Sequence, residues 1–448
     1  MGDLNDSTKK IPYDDSPIIR QGAQKTTAKK NIGIKVFSVC FIALIVLNIA
    51  LCITCYTYLQ NGKIRIVNIY NDKFSSQEAV YLTDTMRTAK YHSVCVAAGL
   101  TQSGLASIMP NSNLSNSEFF HKTKSHGAGF LYKIIGNSAY FVTCYHVINY
   151  DNDENTLSST RIWVLPASML VPIEVELVSY SAKDDVAVLK YTHNDILETL
   201  EGCTPVSCYD STFLTEYEDV FTIGNPLNYG FTGTSGKLTA YRQYYYDSQE
   251  KQEYYWLKTD AAINPGNSGG ALYNADGEFI GMVNANIPES ATGAPVSNTA
   301  YAIPGTLVCS IADNIIENNL NMTKPNAINV GIIFGVDEIR GVDRYKAKYK
   351  DQYGNYKDLD QQYVIVKDFE SSSIAESQGL KKGDRIVSID IELYGNDDVM
   401  TIPILNVFTY YEYAYGIKPS SIIKFNIERQ NEKNETIEHS VFVRAIKY

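Results

Sequence analysis

From about Tyr91 to Tyr301 the sequence is a succession of short β-like runs, each cut off by turn residues. Gly129–Ile134, Ala139–Thr143, Arg161–Leu165, Val171–Val178, Val186–Tyr191, Val220–Gly224, Leu238–Tyr241, Tyr254–Lys258 and Phe279–Val283 all read as strands. Ile173-Glu174-Val175-Glu176-Leu177 alternates apolar and acidic residues, the pattern of a strand with one wet face. Many short strands with Gly- and Asn-rich turns predict a mainly β barrel or sandwich rather than a doubly wound sheet. One helix closes the region, with Leu307, Val308, Ile311, Ile315 and Leu320 near one face of Gly305 to Leu320. Lys324-Pro325-Asn326 then breaks the pattern and reads as a linker, and Asn326 to Tyr448 has the length of one more small domain.

Val36 to Leu59 is an uncharged, mostly apolar run. As a helix it would extend about 36 Å, enough for a hydrocarbon core of roughly 30 Å. Arg20, Lys25, Lys29, Lys30 and Lys35 precede it, whereas only Lys63, Arg65 and Lys73 follow closely. This asymmetry predicts an uncleaved single-pass anchor in the plasma membrane, with the N-terminus cytoplasmic and the bulk of the chain outside. A cleaved signal peptide is the rival, but the leading region is long and no small-x-small cleavage site follows.

The 448 residues carry a net charge of −11, which speaks against a nucleic-acid partner. The 34 tyrosines are scattered and read as a composition bias. Cys40, Cys52 and Cys55 lie in the apolar run, leaving Cys95, Cys144, Cys203, Cys208 and Cys309 beyond it. Five is an odd number with no framework spacing; Cys203 and Cys208 could pair, or be two small buried thiols. With no HExxH and no paired CxxC, neither a metal nor a cofactor is expected.

The chemistry concentrates in Thr259-Asp260-Ala261-Ala262-Ile263-Asn264-Pro265-Gly266-Asn267-Ser268-Gly269-Gly270. A serine nucleophile needs a tight, approachable turn with backbone N–H groups aimed at the developing oxyanion, and flanking glycines permit one. Among six histidines, His146 alone ends an apolar run, Phe141-Val142-Thr143-Cys144-Tyr145-His146-Val147-Ile148, downstream of Gly127-Ala128-Gly129-Phe130. The carboxylate that would orient it lies in Asp184-Asp185-Val186-Ala187-Val188-Leu189. The chain order His, Asp, Ser differs from the Ser-first order of α/β-hydrolases and the Asp-first order of subtilisin.

These segments resemble the HtrA (DegP/DegS-type) branch of the trypsin-like serine proteases, from about Ser93 to the end of the chain. The resemblance implies a double six-stranded β-barrel and a catalytic triad of His146, Asp185 and Ser268, with Asp184 a solvated neighbour. It implies an oxyanion hole at Gly266, Asn267 and Ser268. The base of the specificity pocket, six residues before the nucleophile, becomes Ala262. No acid stands there, so small or medium aliphatic side chains are expected before the cleaved bond, with Ile263 and Asn284–Ile287 lining the pocket. Two departures stand out: Ala271 replaces the usual proline, and Cys144-Tyr145 the usual Asn-containing pair before the histidine.

Ser373-Ile374-Ala375-Glu376-Ser377-Gln378-Gly379-Leu380-Lys381-Lys382-Gly383-Asp384-Arg385-Ile386 resembles the helix–turn–strand of a PDZ domain. Val330, Gly331 and Ile332 would be its carboxylate-binding loop, Asp351–Gln362 an exposed insertion, and the Tyr-rich Phe408–Tyr415 a wall of its groove. The implied organisation is a polar tail (1–35), membrane helix (36–59), stalk (60–90), protease domain (91–322) and PDZ domain (326–448). The implied partners are unfolded or exported proteins as substrates, C-terminal peptides at the PDZ domain, and two further copies in a homotrimer. A regulatory protease with one membrane substrate and a chaperone-like binding scaffold are the competing functions.

Overall fold

The computed structural model describes residues 74–100, 122–225, 230–247, 252–284, 299–337, 345–396, 398–433 and 435–445. The membrane helix expected at 36–59 lies outside them, as do the tail and the pocket positions 285–287.

The short strands close into two barrels. Ser93–Leu100 (β1), Thr123–Ile135 (β2), Ser138–Thr143 (β3), Ile162–Pro166 (β4), Ile173–Ser181 (β5) and Val186–Thr192 (β6) form the first, in the order β1-β2-β3-β6-β5-β4. Asp219–Gly224 (β7), Thr232–Asp247 (β8), Gln252–Thr259 (β9), Ala271–Asn274 (β10), Phe279–Asn284 (β11) and Ala300–Pro304 (β12) form the second, in the order β10-β11-β12-β9-β8-β7. Closure leaves neither sheet with an unpaired edge. The alternation read in β5 is real: Glu174 and Glu176 are exposed while Val175 is buried. By contrast β11 is buried along its whole length, as the continuous apolar run Phe279-Ile280-Gly281-Met282-Val283 requires. The barrels share one apolar core, and the rings of Phe130 and Phe279 meet across their junction with centroids 4.6 Å apart.

Two helices brace this pair. Phe74–Ala89 (α1) occupies the end of the segment expected as a stalk, and Leu82 and Met86 pack onto the shared core. Gly305–Glu317 (α2) follows β12 and buries Leu307, Val308, Ile311 and Ile315. It stops short of the expected Leu320 because Asn319 turns left-handed at φ 47°. The N–H groups of Asn319 and Leu320 then donate to the carbonyls of Ile316 and Ile315, a Schellman ending.

The C-terminal region has its own core, centred on Val364, Val366, Ile386, Ile389 and Phe425. Its strands are Ile332–Val336 (β13), Tyr345–Lys350 (β14), Tyr356–Gln361 (β15), Val364–Phe369 (β16), Arg385–Glu392 (β17), Val399–Pro403 (β18), Ile422–Gln430 (β19) and Thr436–Arg444 (β20). The sheet runs β13-β16-β17-β19-β20 with β18 beside β17, and β14 and β15 form a separate hairpin. The expected helix–turn–strand is present: a short helix at Ile374–Ser377, left-handed Gly379 and Gly383 at φ 112° and 86°, then β17.

Packing adds detail at three of these places. The insertion at 351–362 docks on the second barrel: Gln352 Nε2 donates to the Cys208 carbonyl at 2.9 Å, and Leu359 is buried beside Val220 and Leu238. The linker at 324–326 is tied at its start, where Ser179 Oγ donates to the Thr323 carbonyl at 2.6 Å. Cys208 has Cys309 rather than Cys203 as its neighbour, with the two sulfurs 3.1 Å apart. Mild oxidation with a disulfide-donating reagent should therefore block Cys208 and Cys309 together in alkylation mapping. Cys95, Cys144 and Cys203, all buried, should be untouched, and a Cys203–Cys208 product would contradict the arrangement.

Candidate active site

His146 sits on the single helical turn Tyr145–Ile148 that follows β3, and Asp185 ends the turn 182–185 between β5 and β6. β3 and β6 are paired neighbours, with Thr143 opposite Ala187, so their ends place the two residues together. The Asp185 backbone is left-handed at φ 54°, a conformation that Asp tolerates better than branched residues do. Its carboxylate receives three donors: Oδ1 accepts from the His146 backbone N–H at 2.8 Å, and Oδ2 from His146 Nδ1–H at 2.7 Å and Asn284 Nδ2 at 2.9 Å. Because a carboxylate only accepts, the proton of neutral His146 resides on Nδ1 and Nε2 is left as the basic nitrogen. Asn284, at the end of β11 and only 4% exposed, is a partner that sequence reasoning placed in the pocket instead.

Two opposing influences act on the imidazole. Burial is the largest and lowers its pKa, but the charge of Asp185 and the hydrogen bond to it outweigh that effect, so the net direction is upward from 6.5. Cys144, immediately before the turn, is fully buried, and burial followed by the charge of Asp185 pushes its thiol well up. Sulfur, imidazole and carboxylate donors of Cys144, His146 and Asp185 lie within 4.8 Å of one another. A metal would need the thiolate, yet the Cys144 thiol is held protonated and points at the Val283 carbonyl at 3.5 Å, so the trio is a poor ligand set.

The loop 264–270 brings Ser268 and its neighbours against the residues that flank His146. Its turns are closed by Asn267 N–H on the Asn264 carbonyl at 3.0 Å and Gly270 N–H on the Asn267 carbonyl at 2.9 Å. The Ser268 carbonyl accepts from Ala128 N–H at 2.8 Å, and Gly269 N–H donates to Val283 at 2.8 Å, pinning the loop to both barrels. Gly269 is left-handed at φ 85°, and a Cβ there would lie 2.4 Å from Thr143 Oγ1 and 2.9 Å from the Cys144 backbone nitrogen. A Cβ at Gly127 would meet the Ser268 carbonyl and a methyl of Val147, both at 2.8 Å. Only glycine at both positions lets the serine loop approach the residues flanking His146 this closely.

Gly266 is also left-handed, at φ 101°, and Asn267 is buried beneath the loop. Ala262 is exposed and Ile263 half-buried. Asp260, ahead of the loop, accepts from the Lys237 backbone N–H at 2.5 Å. In the C-terminal domain Val330 and Ile332 are buried, and Gly331 is left-handed at φ 76° with its N–H on Asn329 Oδ1 at 2.8 Å.

Residues 127–282 match the family described as trypsin-like peptidase domain, a span that holds His146, Asp185 and Ser268. The chain carries a trypsin-like peptidase domain. Among curated proteins it is 30% identical over 285 residues to "Serine protease Do-like HtrA" of Lactococcus lactis subsp. lactis, covering 62% of this chain and 64% of that one. It is 27% identical over 339 residues to "Serine protease HtrA-like" of Staphylococcus aureus strain MSSA476, covering 73% of this chain and 39% of that one. The chain therefore spans less than two thirds of the length of these two relatives. The solved serine endoprotease from Yersinia pestis overlaps 82% of this chain and 97% of its own at 20% identity and a TM-score of 0.42, too loose a likeness to carry function.

The geometry of the peptidase domain fixes a pH dependence. His146 binds its proton more tightly in the folded than in the unfolded chain, so its pairing adds stability below pH 6.5 that is lost as pH rises through the folded value. In Asp185→Asn only the lowering effect of burial remains, and NMR titration of the ring should show the His146 pKa falling below 6.5. An unchanged titration would contradict the assigned bond.

Proposed function

We propose that this chain is an HtrA-type serine endopeptidase in which His146, Asp185 and Ser268 form the catalytic triad. The observation that carries the reading is the Asp185–His146 pair, which leaves Nε2 as the base within the domain that holds the Ser268 loop. Nε2 takes the Ser268 hydroxyl proton as Oγ attacks a peptide carbonyl, and the tetrahedral intermediate places its oxyanion against the N–H groups of Gly266 and Ser268, since the Asn267 N–H expected beside them is taken by the Asn264 carbonyl. Collapse breaks the C–N bond as imidazolium returns the proton to the leaving amine. Water, deprotonated by the same nitrogen, then hydrolyses the acyl-enzyme. Asp185 stays ionised and stabilises the imidazolium.

Preference for small or medium aliphatic side chains is supported by Ala262 and Ile263, neither of which offers a charge to a basic side chain. The substrates in this reading are misfolded or exported proteins, and the C-terminal domain is a PDZ module. Its sheet order and left-handed Gly331 favour that, although an incoming carboxylate must displace Asn329 from the Gly331 N–H. Val36–Leu59 anchors the chain in the plasma membrane with the peptidase and C-terminal domains outside, and the working assembly is a homotrimer. Among the described residues no helix is long and apolar enough to cross a membrane, and Val36–Leu59 is not among them.

The test is degradation of unfolded β-casein by the chain beside Ser268→Ala. Cleavage by the native protein and its loss, by roughly 10⁴-fold or more, in the variant is the expected result. Equal cleavage by both, or by neither with an apolar C-terminal peptide added, overturns the reading.

A further inference from the structure

Asp184, expected in solvent, is 6% exposed. Its carboxylate is held from two domains. Ser181 Oγ of the first barrel donates to Oδ2 at 2.6 Å; from the C-terminal domain, Tyr415 donates to Oδ2 at 2.8 Å and the Tyr411 hydroxyl donates to Oδ1. Burial first, then the charge of Asp184, pushes both tyrosine hydroxyls up, so they remain donors throughout the working pH range. Tyr411 belongs to the helix Thr409–Ala414 (α3) and Tyr415 caps it. The segment expected as a groove wall is therefore largely a domain junction. Tyr413 makes a parallel contact, donating to Asp210 Oδ2 at 2.6 Å, and Asn314 Nδ2 of α2 donates to the Tyr415 carbonyl at 2.7 Å.

The position of Asp184 gives the junction a chemical consequence. The next residue is Asp185, in a left-handed backbone at the end of the same four-residue turn, and its carbonyl accepts from Tyr145 N–H at 3.2 Å. A turn in that conformation persists only when its surroundings over-determine it. Asp184 is the side chain of that turn whose carboxylate is hydrogen-bonded to the C-terminal domain. We propose that Tyr411 and Tyr415 act through Asp184 as positioning residues for Asp185, so that the C-terminal domain completes the catalytic geometry of the peptidase domain. Releasing the clamp frees the turn to relax, lengthens Asp185–His146, and withdraws the charge that holds the proton on the imidazole. As a statement about catalysis, this rests on the proteolytic reading given above; as a statement about His146, it does not.

The groups around the two sites are few. Asp184 faces Ser181, Tyr411 and Tyr415, with the Lys183 ammonium 4.8 Å from the Tyr411 ring centre. Glu412 on α3 and Asp210 lie on the Tyr413 side, and His146 faces Asp185, neutral Cys144 and Asn284. Asp185 is thus the carboxylate whose displacement the His146 titration reports.

The experiment uses the full chain with Tyr411→Phe and Tyr415→Phe combined, and Tyr411→Phe alone should the double variant fold poorly. Two readouts are taken. On a casein-derived peptide, kcat should fall roughly ten- to hundredfold with KM within about twofold, since a small misplacement of a catalytic group has that order of effect. The acid limb of kcat/KM should move to lower pH, because a less tightly held proton leaves the base free further down. In a Ser268→Ala background, NMR titration should show the same downward movement of the His146 pKa. A purely structural junction would lower the melting temperature and leave the His146 titration where it was, which overturns the proposal. Should the native chain fail to cleave, the proteolytic reading falls and the titration alone decides the clamp.

Discussion

The carboxylate of Asp185 is the point on which the arrangement turns. It accepts from the His146 backbone and ring, both on the first barrel, and from Asn284 at the end of β11 in the second. A half-buried carboxylate with three donors has its desolvation offset, and it fixes the imidazole tautomer at the same time. Both barrels are held to one atom pair, and the serine loop is pinned nearby through Ala128 and Val283, again one residue from each barrel. Loosening between the barrels would therefore loosen the hydrogen bonds of this carboxylate.

Around that point the chain uses glycine where approach is closest and tyrosine where domains meet. Gly127 and Gly269 let two backbone segments lie at distances no Cβ would allow. Tyrosine supplies a ring to bury and a hydroxyl to satisfy a buried carboxylate, which suits a junction between two separately cored domains. The composition bias toward Tyr thus has a local meaning in Tyr411, Tyr413 and Tyr415, whose hydroxyls reach Asp184 and Asp210.

Much of the fold was legible because its strands are short apolar runs bounded by turns. Each of the nine runs read from the sequence overlaps a strand, and the helix after β12 begins at Gly305 as expected. Within the barrels the strands that escaped are those without such a signal: β1 includes Ala97-Ala98-Gly99, and β10 and β12 have only four and five residues. The His146–Asp185 pairing followed from motif and chain order. What no local pattern could show was contact at long range: Asn284 on Asp185, Cys309 beside Cys208, and the burial of Asp184 by tyrosines more than two hundred residues downstream. A charged residue in a polar turn reads as solvated until its tertiary partners are known.

In the proposed function Ser268 is a nucleophile activated by His146. A fluorophosphonate reagent reports this directly, since it phosphonylates a serine only where a base removes the hydroxyl proton and donors hold the resulting oxyanion. Peptide mapping after labelling should place a single adduct on Ser268, and His146→Ala should abolish it while the barrels stay folded. An adduct elsewhere, or undiminished labelling in His146→Ala, would contradict that role for Ser268.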